Sequence, residues 1–183
     1  MESTDTTSTN STPFPNIPPI IESDDREFRD SGVPSTVAIA GHPLHPLTVI
    51  FPIAFLAAAL GSDFGYWLTD DFFWARASLW LIGLGLVGGL IAAITGMSDF
   101  LRIERVRKRT AGWIHMILNV SILVLTALNF ILRLGNAESR ILPWGLLLSL
   151  VVGTLTSITG WFGAELSYRH KIGVVGAGSK RYP

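Results

Sequence analysis

The chain has 183 residues, of which 49% are hydrophobic and 15% are charged, and its formal net charge is zero. Soluble domains carry about 25% charged residues, so this composition favours a membrane protein, and the zero net charge argues against nucleic-acid binding. The absence of cysteine excludes disulfides, thiolate zinc sites and cysteine-ligated iron–sulfur clusters.

The amino-terminal segment is polar and acidic, and it begins MESTDTTSTNST. Because such a composition buries little apolar surface, we predict a disordered acidic tail over residues 1–35. We expect no cleavable signal peptide, since the segment lacks an apolar stretch. At the other end, residues 177–183 are predicted to form a flexible tail.

Four apolar segments follow, each long enough to cross a bilayer, which takes about 20 residues. In lipid every backbone polar group needs an internal partner, so each segment is predicted to be a helix. Short connections favour antiparallel neighbours. The sequence therefore predicts an all-α integral membrane protein, an up-down four-helix transmembrane bundle within residues 36–176. Its helices are expected at about 46–68, 74–96, 112–134 and 141–163.

Basic residues are distributed unevenly between the two ends of this bundle. The two tails and the loop at 102–109 share one side and carry 11 Lys and Arg, against three on the other side. The positive-inside rule then places both termini in the cytoplasm. The basic loop either sets this topology or also binds anionic lipid head groups.

Small residues recur at helical spacing, as in Gly145, Ser149, Gly153 and Ser157 of the fourth segment. Such faces allow close helix packing, either within the bundle or in a homo-oligomer. The second and fourth segments also share the sequence Ile-Thr-Gly near their ends, at 94–96 and 158–160. We interpret this similarity as a faint sign of a duplicated helical hairpin.

All four histidines map to the predicted cytoplasmic face. Each histidine of GHPLHP precedes a proline, which favours an extended or turn-like conformation, and Pro52 is expected to kink the first helix. His115 and Asn119 start a polar stripe on the third helix, which should face protein. The candidate site residues on this face are His42, His45, His115, His170, Asp99, Glu165 and Asn119.

Three interpretations of this cluster remain open. The side chains form a structural hydrogen-bond network, two histidines hold a b-type haem, or histidines with Asp99 or Glu165 bind a divalent metal such as zinc, iron or copper. Asp63 is the one carboxylate inside the spans. We therefore expect no deep charge pair, which disfavours a channel or carrier. No nucleophile–base or nucleotide-binding motif supports an enzymatic activity.

The collected motifs resemble the bacterial four-helix membrane family catalogued as domain of unknown function 2231. The resemblance covers about residues 38–176, and relatives often have a histidine where this chain has Ile50. The motifs that carry it are GHPLHPLTVIFPIAFL, WLIGLGLVGGLIAAITGMSDFL, GWIHMILNV and GWFGAELSYRHKIGV.

The resemblance implies a multi-pass protein of a bacterial inner or internal membrane, in contact with lipid. Some relatives are joined to Rieske or cytochrome c modules, which implies a redox partner protein and favours haem or metal binding with electron transfer. The alternative functions are a scaffold, or a small-solute carrier whose histidines serve only a hydrogen-bond network. The motif positions in this chain are His42, His45, His115, Asn119, Glu165 and His170.

Overall fold

The structure is a computed structural model that describes residues 32–176. Residues 1–31 of the tail predicted over 1–35, and the tail predicted over 177–183, lie outside this range, so their disorder stays a prediction; residues 33–35 form a short strand. Helical elements fill most of the described chain. They are α1 (Leu44–Thr48), α2 (Ile50–Thr69), α3 (Phe72–Arg102), α4 (Glu104–Arg107), α5 (Thr110–Arg133), α6 (Ala137–Arg140) and α7 (Leu146–Ala164), with π-helical turns at Ile141–Gly145 and Glu165–Arg169.

The four predicted transmembrane helices are confirmed. The stretches long and apolar enough to cross a membrane are Leu44–Thr69, Phe72–Arg102, Thr110–Arg133 and Ala137–Arg169. The second helix runs six residues past its predicted end at 96, and the fourth gains a turn at each end. Hydropathy missed these extensions because they lie beyond the apolar core, where charged side chains occur on a continuing helix.

Helices α2 and α5 occupy diagonal corners of the bundle. Each of them packs against both α3 and α7, which fill the other two corners. The bundle therefore consists of two hairpins, α2–α3 and α5–α7, and side chains from α2 and α5 meet along its central axis.

The first membrane helix is interrupted at Val49, between α1 and α2. Pro52 has no N–H to offer the carbonyl of Thr48, so the helical hydrogen bonding breaks one residue later. The Thr48 hydroxyl donates to Leu44 O and His45 O at 3.0 and 3.1 Å. Val49 itself keeps a helical backbone conformation, with φ −65° and ψ −21°, so the first membrane helix continues from α1 into α2 and the predicted kink at Pro52 stays a prediction.

Short strands cover one end of the bundle, an addition to the predicted all-helical architecture. Val33–Ser35 (β1) pairs in parallel with Ile172–Gly176 (β4), and Ala38–Ile39 (β2) pairs antiparallel with His42–Pro43 (β3). The segments before the first membrane helix and after the last one thus join over the same mouth.

Glycines in α3 and α7 are used for packing inside the bundle. A Cβ on Gly85 would lie 2.8 Å from Leu56 of α2, and one on Gly89 would lie 2.8 Å from Leu123 of α5. Gly153 of α7 would similarly meet Leu60 at 3.0 Å. These small residues therefore support contacts within one chain.

Candidate functional site

His45 joins the first membrane helix to the end of the second. It lies inside α1, whereas the sequence predicted an extended or turn conformation. Pro46 is the third residue of α1, in the first turn, where its missing N–H costs no helical hydrogen bond, so the proline is compatible with the helix. The imidazole Nδ1 is 2.9 Å from Ala92 O. The ring packs against the backbone of Gly96, which has no side chain to block it. A Cβ on Gly96 would lie 2.6 Å from Cε1 of His45.

His115 repeats this arrangement in the second hairpin. Its Nδ1 is 2.9 Å from Thr159 O and 3.1 Å from Thr159 Oγ1. A Cβ on Gly163 would lie 3.0 Å from its Cε1. Asn119 Nδ2 donates to His115 O at 2.7 Å and to Thr159 Oγ1 at 2.8 Å, so it fixes the local backbone and the hydroxyl. The predicted inward orientation of His115 is confirmed.

The two imidazoles face each other across the bundle axis. Their ring centroids are 6.3 Å apart, and the ring planes are perpendicular, at 89°. Both side chains are half-buried. The structure therefore assembles two of the four predicted histidines, one from each hairpin, into a pair that we call the histidine pair.

The hydrogen bonds define the tautomer of both rings. A backbone carbonyl oxygen only accepts, so a neutral imidazole that bonds to it through Nδ1 carries its proton there. The Nε2 atoms of His45 and His115 then hold free lone pairs. This is the arrangement that proteins use to orient a metal-ligating histidine.

The other two histidines lie elsewhere. His42 is exposed in β3, where its extended conformation is confirmed, and its Nδ1 is 3.0 Å from Ala40 O. His170 follows the π-helical turn at Glu165–Arg169, is buried, and has Nε2 3.9 Å from Glu165 Oε1. Glu165 also accepts from Arg169 Nη1 at 3.1 Å.

Asp99 holds the segment that leads into the bundle. Its Oδ1 accepts from Thr36 N at 2.6 Å and Thr36 Oγ1 at 2.7 Å, and its Oδ2 accepts from Ser35 Oγ at 2.7 Å. Within residues 32–176, no three His, Asp or Glu side chains come close enough to hold a metal ion together. The predicted combination of histidines with Asp99 and Glu165 is therefore not gathered into one cluster there.

At the other end of the bundle, sequence reasoning missed a buried ion pair. Arg133 donates from Nη1 to Asp63 Oδ1 at 2.7 Å and from Nη2 to Asp63 Oδ2 at 2.6 Å, and both side chains are 0% exposed. Its remaining donors reach Asn129 Oδ1, Ser78 Oγ and Ser149 Oγ at 2.9, 2.8 and 3.2 Å. All five guanidinium N–H groups are thus satisfied.

The expectation of no deep charge pair was wrong. The sequence analysis counted Arg133 among the three basic residues on the outer side, whereas its side chain lies buried inside the bundle at the end of α5. A usable signal was present in the residue spacing. Asp63 lies 18 residues after His45 and Arg133 lies 18 after His115, which is about five helical turns and returns to the same helix face.

The two hairpins contribute matched contacts across the bundle axis. His45 and His115 meet across the axis at one end, and Asp63 meets Arg133 at the other. Each histidine also bonds to a carbonyl four residues before the glycine on which its ring packs, in Ala92–Gly96 and Thr159–Gly163. These contacts match Gly96 with Gly163, whereas the shared Ile-Thr-Gly matches Gly96 with Gly160, so the duplicated hairpin stays a prediction.

The fold and the apolar spans define a four-helix multi-pass membrane protein. A family model described as predicted membrane protein (DUF2231) matches residues 41–176. The chain belongs to this family, as its motifs indicated. No curated protein and no solved structure matches the chain.

Proposed function

We propose that the histidine pair binds one transition-metal centre, either a bare iron or copper ion or the iron of a haem, and that the protein transfers electrons through it. The observation that carries this proposal is the separation of the two imidazole rings. The ligands are Nε2 of His45 and Nε2 of His115.

The separation fits one metal atom between the rings. Metal–imidazole bonds are about 2.0–2.1 Å long, and the ring centroid lies about 1.1 Å behind the nitrogen, so rings on opposite sides of one ion have centroids about 6.2–6.4 Å apart. The observed distance is 6.3 Å. One metal atom would be held at this separation if both Nε2 atoms lie on the side of their ring that faces the other ring.

The surroundings of the rings suit ligation. Each Nδ1–H is bound to a carbonyl of the neighbouring helix, which leaves Nε2 as the basic nitrogen and fixes the plane of the ring. Gly96 and Gly163 leave no side chain against the imidazoles. A haem would in addition need its macrocycle to fit between the rings, which would require the surrounding helices to move apart.

A bound iron or copper atom would supply one-electron redox chemistry. The protein's own contribution is to hold two neutral imidazoles at a fixed separation from two different hairpins. The half-buried position of the pair at a bundle mouth gives access from one membrane face. By the positive-inside rule this face is cytoplasmic, where a redox partner protein would dock.

The test is metal analysis of the full chain in mild detergent, as purified and after incubation with ferrous iron, cuprous copper or haemin. The expected result is about one metal atom per chain with an affinity that requires both histidines. An intense visible absorption band identifies haem, and metal without that band identifies a bare ion. The matched control is His42→Ala, which removes an exposed histidine and should leave binding unchanged.

Conservative variants separate ligation from hydrogen bonding. In His115→Asn the amide nitrogen can replace Nδ1 as the donor to Thr159 O, but nothing replaces Nε2. Loss of metal from a folded His115→Asn protein supports ligation. The proposal is overturned if wild-type protein binds no more iron, copper or haemin than the His45→Ala/His115→Ala variant.

The second candidate function is a scaffold in which the histidines only tie helices together. The specific observation in its favour is that each ring already bridges two helices through a backbone carbonyl. The carrier alternative gains no support from the Asp63–Arg133 pair, because every guanidinium donor is already used within the bundle. A metal-free wild-type protein that His115→Asn leaves fully stable would favour the scaffold.

A further inference from the structure

A small cavity lies inside the bundle beside the Asp63–Arg133 pair. It leaves about 10 Å³ for the centre of a water molecule. Its walls combine apolar side chains, among them Leu56, Ile82 and Val152, with polar ones. Two of the polar ones, Asn129 and Ser149, also bind the guanidinium of Arg133. A cavity of this size holds about one water if polar groups line it.

Thr126 provides an unpartnered polar group at this cavity. Its side chain is 2% exposed, and its Oγ1 has no hydrogen-bond partner among the described residues. Other helical threonines here, such as Thr154 and Thr156, donate to the carbonyl four residues before them. Thr126 does not, although such a bond is the usual choice inside a membrane helix, so its hydroxyl is available to the cavity.

Ser149 provides a second polar group. Its Oγ accepts from Asn129 Nδ2 at 3.0 Å and from Arg133 Nη2 at 3.2 Å. These two bonds occupy the acceptor positions of the hydroxyl, so its own proton remains to be donated. Thr126 and Ser149 line the same cavity from α5 and α7.

We propose that this cavity binds one water molecule between Thr126 and Ser149. The water accepts from the Ser149 hydroxyl and donates to Thr126 Oγ1. It thereby extends the polar network of Asp63 and Arg133 by about two turns of α5 towards the middle of the membrane. This site is independent of the histidine pair and of any metal there.

The test compares Thr126→Val with Thr154→Val in the full chain. Valine has nearly the shape of threonine, with a methyl group in place of the hydroxyl, so the change removes one hydrogen-bonding partner of the water. With water bound, Thr126→Val loses hydrogen bonds and lowers Tm by about 2–4 °C relative to the control. In a dry cavity the same change removes an unpaired buried hydroxyl and raises Tm, so the two cases differ in sign.

Water-edited solid-state NMR of the protein in bilayers gives a second readout. Magnetisation from water should reach the Thr126 and Ser149 side chains, and the transfer to Ser149 should survive Thr126→Ser and disappear in Thr126→Val. The proposal requires both results. A Tm that is unchanged or raised, or an absence of transfer to Ser149 in the wild type, overturns it.

Discussion

Arg133 donates hydrogen bonds to both carboxylate oxygens of Asp63 in the interior of the bundle, from Nη1 to Oδ1 at 2.7 Å and from Nη2 to Oδ2 at 2.6 Å. Neither side chain is exposed. For a buried ion pair, the cost of taking both charges out of water roughly offsets their mutual attraction. Removing only one partner is much more costly, because the other charge is then buried alone. Because Asp63 belongs to the first hairpin and Arg133 to the second, the pair joins the two halves of the protein.

Breaking this pair should be strongly destabilising. We expect Asp63→Asn to lower the free energy of unfolding by about 3–5 kcal/mol, since it leaves the Arg133 guanidinium buried without a counter-ion. The measurement is denaturant unfolding in mixed micelles. The double variant Asp63→Leu/Arg133→Leu should recover most of the loss, because it removes both charges together.

The exposed pair Lys108–Glu104 provides the control for that experiment. Its side chains are 70% and 72% exposed, at an N–O distance of 2.8 Å. Water and salt screen such a pair, so Lys108→Ala should leave unfolding almost unchanged. If Asp63→Asn is as harmless as Lys108→Ala, the buried pair does not hold the hairpins together.

Alanine substitutions at two glycines near the histidine pair should have opposite effects on Tm. A methyl group on Gly96 would lie 2.6 Å from Cε1 of His45, whereas Gly160 has nothing within 4 Å of its added carbon. We expect Gly96→Ala to displace the imidazole, lower Tm and abolish any metal binding. Gly160→Ala should instead stabilise α7 by up to about 1 kcal/mol, because alanine is the better helix former. Equal Tm changes in the two variants would contradict the packing described for His45.

Asp99 should control the opening of the segment that covers the histidine end. Its two oxygens accept three hydrogen bonds from Ser35 and Thr36, and an asparagine has one acceptor oxygen in their place. In Asp99→Asn we expect faster amide hydrogen exchange over residues 33–39, with the membrane helices unaffected. Ser98→Ala is the matched control, because that hydroxyl donates to Ile94 O within its own helix. Unchanged exchange in Asp99→Asn would show that the β1–β4 pairing alone holds the segment.

Hydropathy was sufficient to predict the four helices, because a span of about 20 apolar residues has few alternatives in lipid. It could not show that the Arg133 side chain points into the bundle, since a long basic side chain at the end of a membrane helix can equally reach out to the interface. Nor could it select His45 and His115 from four histidines. That choice depends on the diagonal arrangement of α2 and α5, and on glycines 51 and 48 residues away in the chain, at Gly96 and Gly163.

The orientation of the bundle remains a prediction, and the lack of cysteine makes it easy to test. Glu104 and Glu138 are exposed on opposite sides of the predicted membrane, in α4 and α6. The positive-inside rule places Glu104 in the cytoplasm, beside the basic loop. In intact bacterial cells, a membrane-impermeant maleimide should label the Glu138→Cys variant and leave the Glu104→Cys variant unlabelled until the membrane is permeabilised. Labelling of Glu104→Cys alone would invert the topology and move the histidine pair, with its proposed redox partner, to the outer face.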